Sequence, residues 1–312
     1  MSPCISCVIP AYNEEANIRA ITKEVIAIFD SLKGKYTYEI ILVDDGSEDM
    51  TWDAISDMGK SDPQVKWVRL SRNFWKEIAL TAWIEHAKGD AAITLDADGQ
   101  HPVEKIPAFI EEWEKGFQIV YNRRPVTQGV PLLKRWSSKL FYALFNTVSD
   151  FKLEPGTTDY RLLDRSVIDV FLQFHEKNRT YRGLIDWIGF EKKCLVFDAA
   201  PRMRWMASYR YGKLLKLAIN NLTSFSLFPL KLVWYMGLFL TSMSFIILIV
   251  QILDKLQIFH FWFTNLGIVI VLNTIMIGIV LMSLWLIGLY IANIHEEVIG
   301  RPLYIIKDKK NV

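Results

Sequence analysis

The sequence predicts an α/β domain built on a mostly parallel sheet, followed by two membrane-spanning helices near the C-terminus. Three observations predict it. Short apolar segments alternate with helix-period patterns through residues 1–130, acidic and glycine-containing turns follow several of those segments, and two long uncharged runs begin after Lys231.

The apolar segments begin near Ile5, Glu39, Val65, Ala91 and Phe117. Between the first two, Ile18, Ile21, Val25 and Ile28 recur at the spacing of one helix face. Strands separated by such helices imply βα units and a sheet covered on both sides. A basic amphipathic pattern follows over 131–148, with Leu132, Leu133, Trp136, Leu140, Phe141, Leu144 and Phe145 opposed by Lys134, Arg135 and Lys139. Such a helix suits an anionic membrane surface or an ordinary sheet-packing face. Residues 213–231 read as a second interfacial helix. Leu232–Leu253 is an uncharged run of 22 residues, long enough as a helix to cross the roughly 30 Å hydrocarbon core. The next uncharged stretch, Leu256–Ile294, exceeds one crossing, so the second span is placed at about 267–292. His260, Trp262 and Phe263 suit the interface. The domain reading is therefore 1–130 for a nucleotide-binding core, 131–231 for an acceptor-side and interfacial part, 232–294 for the two spans, and 295–312 for a tail.

The residues before the first span carry no signal-peptide pattern, and Lys231, Arg301, Lys307, Lys309 and Lys310 flank the spans on one side. Both termini are accordingly expected in the cytoplasm. A formal net charge of +2 gives no reason to expect nucleic acid as a partner. Cys4 and Cys7, with no second pair to complete a zinc site, read as packing residues.

Ligands of open α/β sheets bind beyond the carboxyl ends of strands. The first strand leads into Pro10-Ala11-Tyr12-Asn13-Glu14, where Tyr12 could cover a base and Asn13 could cap the next helix. The second ends in Asp44-Asp45-Gly46-Ser47. No glycine-rich phosphate loop follows any strand, which disfavours dinucleotide and P-loop enzymes. The fourth leads into Asp96-Ala97-Asp98-Gly99-Gln100-His101-Pro102. On an extended chain Asp96 and Asp98 point the same way and, with Gln100, offer hard oxygen ligands to Mg²⁺ or Mn²⁺.

These three motifs resemble the family 2 inverting glycosyltransferases of GT-A (Rossmann-like) fold. Arg72-Asn73-Phe74-x-Lys76-Glu77, Thr158-Asp159-Tyr160-Arg161-Leu162, Tyr181-Arg182-Gly183-Leu184 and Glu297-Val298-x-x-Arg301-Pro302 narrow the resemblance to polyprenyl-phosphate glycosyltransferases, especially the bactoprenol glucosyltransferases of O-antigen modification. The resemblance implies transfer of a hexose, with glucose from UDP-glucose as the leading donor, to undecaprenyl phosphate with inversion. It implies Pro10, Tyr12, Glu14, Asp44, Asp45, Lys76 and Asp96 around the nucleotide-sugar, and Asp96, Asp98 and Gln100 around the metal. Asp159 would be the base, with Arg161 beside it to brace the carboxylate, and Arg123, Arg124, Lys134 and Arg135 would bind the lipid phosphate. The implied setting is a bacterial inner membrane, with a homotetramer as the suggested assembly.

The sequence also departs from the family pattern. Trp75, Trp83 and Trp205 stand where the family carries glycine, and Ser208 where it carries lysine. Each tryptophan either narrows the pocket or packs outward. Other donors (UDP-galactose, UDP-GlcNAc, GDP-mannose), a processive polysaccharide synthase and a catalytically silent membrane partner are the competing readings. Leu133-Lys134-Arg135-Trp136 matches only part of the synthase motif Q-x-x-R-W, since Leu132 replaces the glutamine.

Overall fold

The computed structural model describes residues 2–123, 146–147, 154, 156–177, 180–197, 228–256 and 265–310. The expected interfacial helices at 131–148 and 213–231 fall almost wholly outside this set, as do Arg124, Lys134, Arg135, Trp205 and Ser208. The chain forms two compact units. Residues 1–146, 151–210 and 301–312 make the first, and residues 147–150 and 211–300 the second.

The first unit holds a mixed, mostly parallel sheet. In chain order its described elements are β1 (Cys4–Ala11), α1 (Glu15–Ser31), β2 (Thr37–Asp44), α2 (Thr51–Ser61), β3 (Val65–Leu70), α3 (Lys76–Ile84) and β4 (Ala91–Thr94). A 3₁₀ turn and α4 (Ile106–Glu114) precede β5 (Ile119–Arg123), and β6 (Thr157–Asp164), α5 (Arg165–Leu172), α6 (Tyr181–Ile188) and β7 (Lys192–Val196) follow. The spatial order is β7-β5-β6-β4-β1-β2-β3-β8, where β8 is Ile306–Lys310. β4, β1, β2 and β3 run parallel, while β6 and β8 join them antiparallel on either side. The alternation legible in the sequence thus yields the parallel centre, but β5 is not the neighbour of β4, because β6 lies between them.

Burial on both faces explains why the central strands read as continuous apolar runs. Seven of the eight residues of β2 are buried. One face packs Ile5, Cys7, Ile9, Ile40 and Leu42 against Ile18, Val25 and Phe29 of α1, Ile55 of α2 and Phe109 of α4. Cys7 belongs to this core and Cys4 is partly buried; neither forms a disulfide. The other face carries Val8, Ile41 and Val43, and the helices α3, α5 and α6 add Leu80, Val167, Ile168, Leu184 and Ile185 to the buried set.

The second unit contains α7 (Phe228–Lys255) and α8 (Asn265–Val298). Within α8, Leu272–Val298 is long and apolar enough to cross a membrane and is not buried inside the protein. In α7 the corresponding apolar stretch, Val233–Ile247, is shorter. Thr241, Ser242, Thr274 and Ser283 each return their hydroxyl to the carbonyl four residues back, at 2.7–2.9 Å. These hydroxyls therefore need no partner outside their helix.

Candidate active site

The antiparallel insertion of β6 assembles the centre. Thr94 pairs with Arg161 in register. Two residues beyond that pair on each strand stand Asp96 and Asp159, so the start of β6 meets the carboxyl end of β4. The Thr94 hydroxyl donates to the Asp159 carbonyl and fixes this junction.

Lys76, the first residue of α3, joins the two carboxylates. Its Nζ lies 2.7 Å from Asp96 Oδ1 and 2.8 Å from Asp159 Oδ2. Arg182, near the start of α6, brings Nε to 2.7 Å from Asp159 Oδ1 and donates from Nη1 to the Thr157 carbonyl at 2.8 Å. Glu77 sets the two helix starts together: its Oε2 accepts the Tyr181 N–H at 2.7 Å. Burial would raise the Asp159 pKa, but Lys76 and Arg182 outweigh it and hold the carboxyl well below the usual range. Partial burial would likewise lower that of Lys76, yet Asp96 and Asp159 raise the ammonium above the ordinary lysine value while 44% of the side chain remains exposed. Glu77 moves the other way, raised by burial and by the charge on Asp159.

Arg161 does not provide the bracing expected of it. Its side chain is fully buried, with Nη1 3.6 Å from Asp186 and Nε donating to the Thr158 carbonyl at 3.2 Å. It reaches Asp159 through charge alone. Arg182 and Glu77 were therefore missed as site residues, although both lie in motifs that carry the family resemblance.

The Asp96–Asp98 segment also differs from expectation, because it is a turn and not an extended chain. Asp98 Oδ1 accepts the Gln100 N–H at 3.0 Å, and Gly99 has φ 71°. The Asp96 N–H donates to His101 Nδ1 at 2.9 Å, and that ring stacks on Tyr160 with centroids 5.0 Å apart. Gln100 is buried, and its amide nitrogen has no hydrogen-bond partner among the described residues. No group of three or more His, Cys, Asp or Glu side chains stands at metal-binding separation among the described residues. Asp96 and Asp98 nevertheless share a negative field with Glu14, whose carboxyl is raised first by burial and then by those two charges. Hard oxygen donors in such a field fit a divalent cation.

At the neighbouring strand ends two loops brace each other. Asn13, at φ 55°, accepts the Glu48 N–H on its side chain at 2.9 Å, while its own N–H donates to Ser47 Oγ at 3.0 Å. The left-handed backbone turns Asn13 away from the helix-capping role expected of it; Glu14 occupies that position without a side-chain cap. Asp44 is fully buried, accepting the Ser47 N–H at 2.9 Å and lying 3.3 Å from Arg69 Nε. Asp45 accepts the Phe74 N–H at 2.8 Å. Both carboxylates thus shape the loop. A Cβ on Gly46, at φ 70°, would meet the Arg72 carbonyl carbon at 2.4 Å, so only glycine fits this approach. Pro10 ends this rim in β1, and Tyr12 is 40% exposed beyond it. Arg123, exposed at the end of β5, pairs with Thr157 at the same sheet edge.

The two described tryptophans that stand where the family carries glycine differ in their surroundings. Trp83 is fully buried, edge-on to Tyr181. Trp75 is 70% exposed and has φ 75° and ψ 152°. That region is populated essentially by glycine, and a side chain held there costs about 1–3 kcal/mol.

Residues 6–172 match the family model described as Glycosyl transferase family 2. An uncharacterized glycosyltransferase of Synechocystis is 38% identical over 306 residues, spanning 97% of this chain and 95% of that protein. A prophage-derived bactoprenol glucosyl transferase of Shigella flexneri is 37% identical over 303 residues, with 97% of each chain covered. Among solved structures, mannosyl-3-phosphoglycerate synthase from Rubrobacter xylanophilus superposes with a TM-score of 0.51 at 14% identity, covering 84% of this chain and 78% of that one. That likeness is one of fold.

Proposed function

The chain belongs to glycosyl transferase family 2 and is a glycosyltransferase, and from that premise we propose that it moves one hexose from a nucleotide-sugar to a polyprenyl phosphate at a membrane surface, with inversion. The observation that carries the reading is the Lys76 bridge, which joins the carboxylate after β4 to the carboxylate that opens β6. The first is suited to the donor's pyrophosphate end and the second to the incoming acceptor. The name of the Shigella relative supports glucose as the sugar and an undecaprenyl carrier as the acceptor, with UDP-glucose as the corresponding donor.

Pro10, Tyr12 and Glu14 would line the nucleotide side, on a rim kept in shape by Asp44 and Asp45. Asp96 and Asp98 would hold Mg²⁺ or Mn²⁺, which supplies charge neutralisation for the departing diphosphate. Lys76 bridges Asp96 and Asp159, and so keeps donor and acceptor carboxylates in register. Asp159, already anionic and held by Arg182, orients the acceptor phosphate. That phosphate is largely dianionic near neutral pH and needs little proton abstraction. Arg161 stiffens the start of β6 through its bond to the Thr158 carbonyl. Arg123, with Arg124, Lys134 and Arg135, would receive the lipid phosphate by charge-assisted hydrogen bonds.

Two membrane spans, α7 and α8, complete the reading. Their largely exposed apolar surfaces support it, including Trp234, Phe239 and Phe245 on α7 and Leu281, Leu284 and Trp285 on α8. The positive residues on either side support cytoplasmic termini in a bacterial inner membrane. A homotetramer remains part of the proposal.

The test incubates the full chain in bilayers with undecaprenyl phosphate and labelled UDP-glucose, UDP-galactose, UDP-GlcNAc or GDP-mannose. The expected result is label in the organic phase from one donor, abolished by EDTA and by Asp98→Ala. Label in a water-soluble polymer would instead indicate a processive synthase. No transfer from any donor would favour a silent partner, and full activity in EDTA would remove the metal.

A further inference from the structure

We infer that Trp75 is a stacking platform for the hexose ring of the donor, and so a specificity-determining residue of this site. The inference rests on the nucleotide-sugar reading above. Trp75 sits at the junction of the β3–α3 loop and α3. Its N–H donates to Asn73 Oδ1 at 2.9 Å, and its carbonyl accepts from Ile78 and Ala79 at 3.0 Å. These bonds hold the left-handed backbone in place, and the next residue is the lysine that joins Asp96 to Asp159.

Packing among the described residues does not account for a tryptophan here. The indole is 70% exposed and stacks on no other ring among the described residues, unlike the buried Trp83. Burial therefore offsets little of the strain at φ 75°. A ligand contact gives the residue a return that the free protein does not. Hexoses present an apolar C–H face beside their hydroxyls, and an aromatic plane is the usual complement to such a face. Among the described residues, the side chains paired with Lys76 are the carboxylates of Asp96 and Asp159, which suit phosphate and hydroxyl and not the apolar face of a sugar. Tyr12, at the end of β1, belongs to the nucleotide side.

Calorimetric titration of the full chain in nanodiscs with UDP-glucose and with UDP, both with Mg²⁺, tests this without the acceptor. Trp75→Gly should weaken UDP-glucose binding about fivefold to tenfold and leave UDP within about twofold. Trp75→Phe, which keeps a ring, should stay within about threefold of wild type for both. The melting temperature of Trp75→Gly should rise by about 2–4 °C as the strain is released. Equal losses for UDP and UDP-glucose, a phenylalanine variant as weak as the glycine variant, or a fall in melting temperature would overturn the inference. So would wild-type protein that binds the two ligands equally. If the binding contrast holds while no lipid-linked sugar forms, the platform stands and only the acceptor reading fails.

Discussion

At the scale of single residues, two carboxylates, Asp159 and Asp45, lie in opposite environments. Asp159 lies between Lys76 and Arg182 and is ionised across the neutral range, which makes it a weak base and a firm anchor. Asp159→Asn should lower kcat by about 10²-fold, within the range for a positioned acid–base group. Its residual rate should still rise through a pKa of about 6, because that limb belongs to the acceptor phosphate. If pH–rate profiles show the rise in wild type and not in the variant, Asp159 is the titrating base. Asp45 is the reverse case: burial, with the Asp44 charge adding to it, pushes its carboxyl up to about 6, against the pull of the Phe74 N–H. A folded-state pKa above the unfolded value means that its contribution is complete below about pH 4 and lost as pH climbs through about 6. Asp45→Asn retains an acceptor for Phe74 and should remove that loss, worth about 2–3 kcal/mol. Melting curves from pH 4 to 7 should therefore fall less steeply for the variant than for wild type. Equal slopes would show that Asp45 does not titrate in this window.

At the scale of elements, legibility followed burial. β1 to β4 sit in the sheet interior, and their mainly apolar segments announce them, although Glu39 lies in β2 and Lys66 and Arg69 interrupt β3. β6 opens with two threonines and then alternates Asp159 and Arg161 with Tyr160 and Leu162, so its polar motif points to chemistry and hides the strand. Yet that strand, antiparallel beside β4, brings Asp159 to Asp96. The turn at Asp98 was hidden for a different reason: an Asx turn and an extended D-x-D segment share one sequence, and Gly99 decides between them. β8 was masked by charge, since Lys307, Asp308, Lys309 and Lys310 resemble a solvated tail. Lysines on an edge strand protect it from further pairing. β8 covers β3, with the Ser71 N–H donating to the Ile305 carbonyl at 2.9 Å and Lys310 Nζ to the Gly59 carbonyl at 3.2 Å. Truncation after Leu303 should expose that edge, lower the melting temperature by several degrees at about 1 kcal/mol per lost hydrogen bond, and promote association visible in size-exclusion chromatography. Unchanged melting and a monodisperse profile would make β8 dispensable.

At the scale of the whole molecule, the chain carries a family 2 sheet and an apolar helical unit, and the tail after α8 belongs to the first of these. Each of the two expected spans lies in a helix, as hydropathy leads one to expect; Leu272–Val298 is long and apolar enough to cross a membrane, whereas the apolar stretch of α7, Val233–Ile247, is shorter. The proposed lipid-phosphate side is legible only as clustered basic residues, and of these Arg123 alone lies among the described residues. Sugar identity was not legible at all, since hydroxyl recognition depends on loop geometry that short motifs do not encode. Single, inverting transfer to a lipid phosphate is tested most directly by proton NMR of the lipid product made by the purified full chain from an α-linked UDP-hexose and polyprenyl phosphate. The expected product carries one hexose per lipid, joined to a phosphate through a β-configured anomeric carbon. An α-configured product, more than one sugar per lipid, or free hexose with the polyprenyl phosphate unchanged would contradict it.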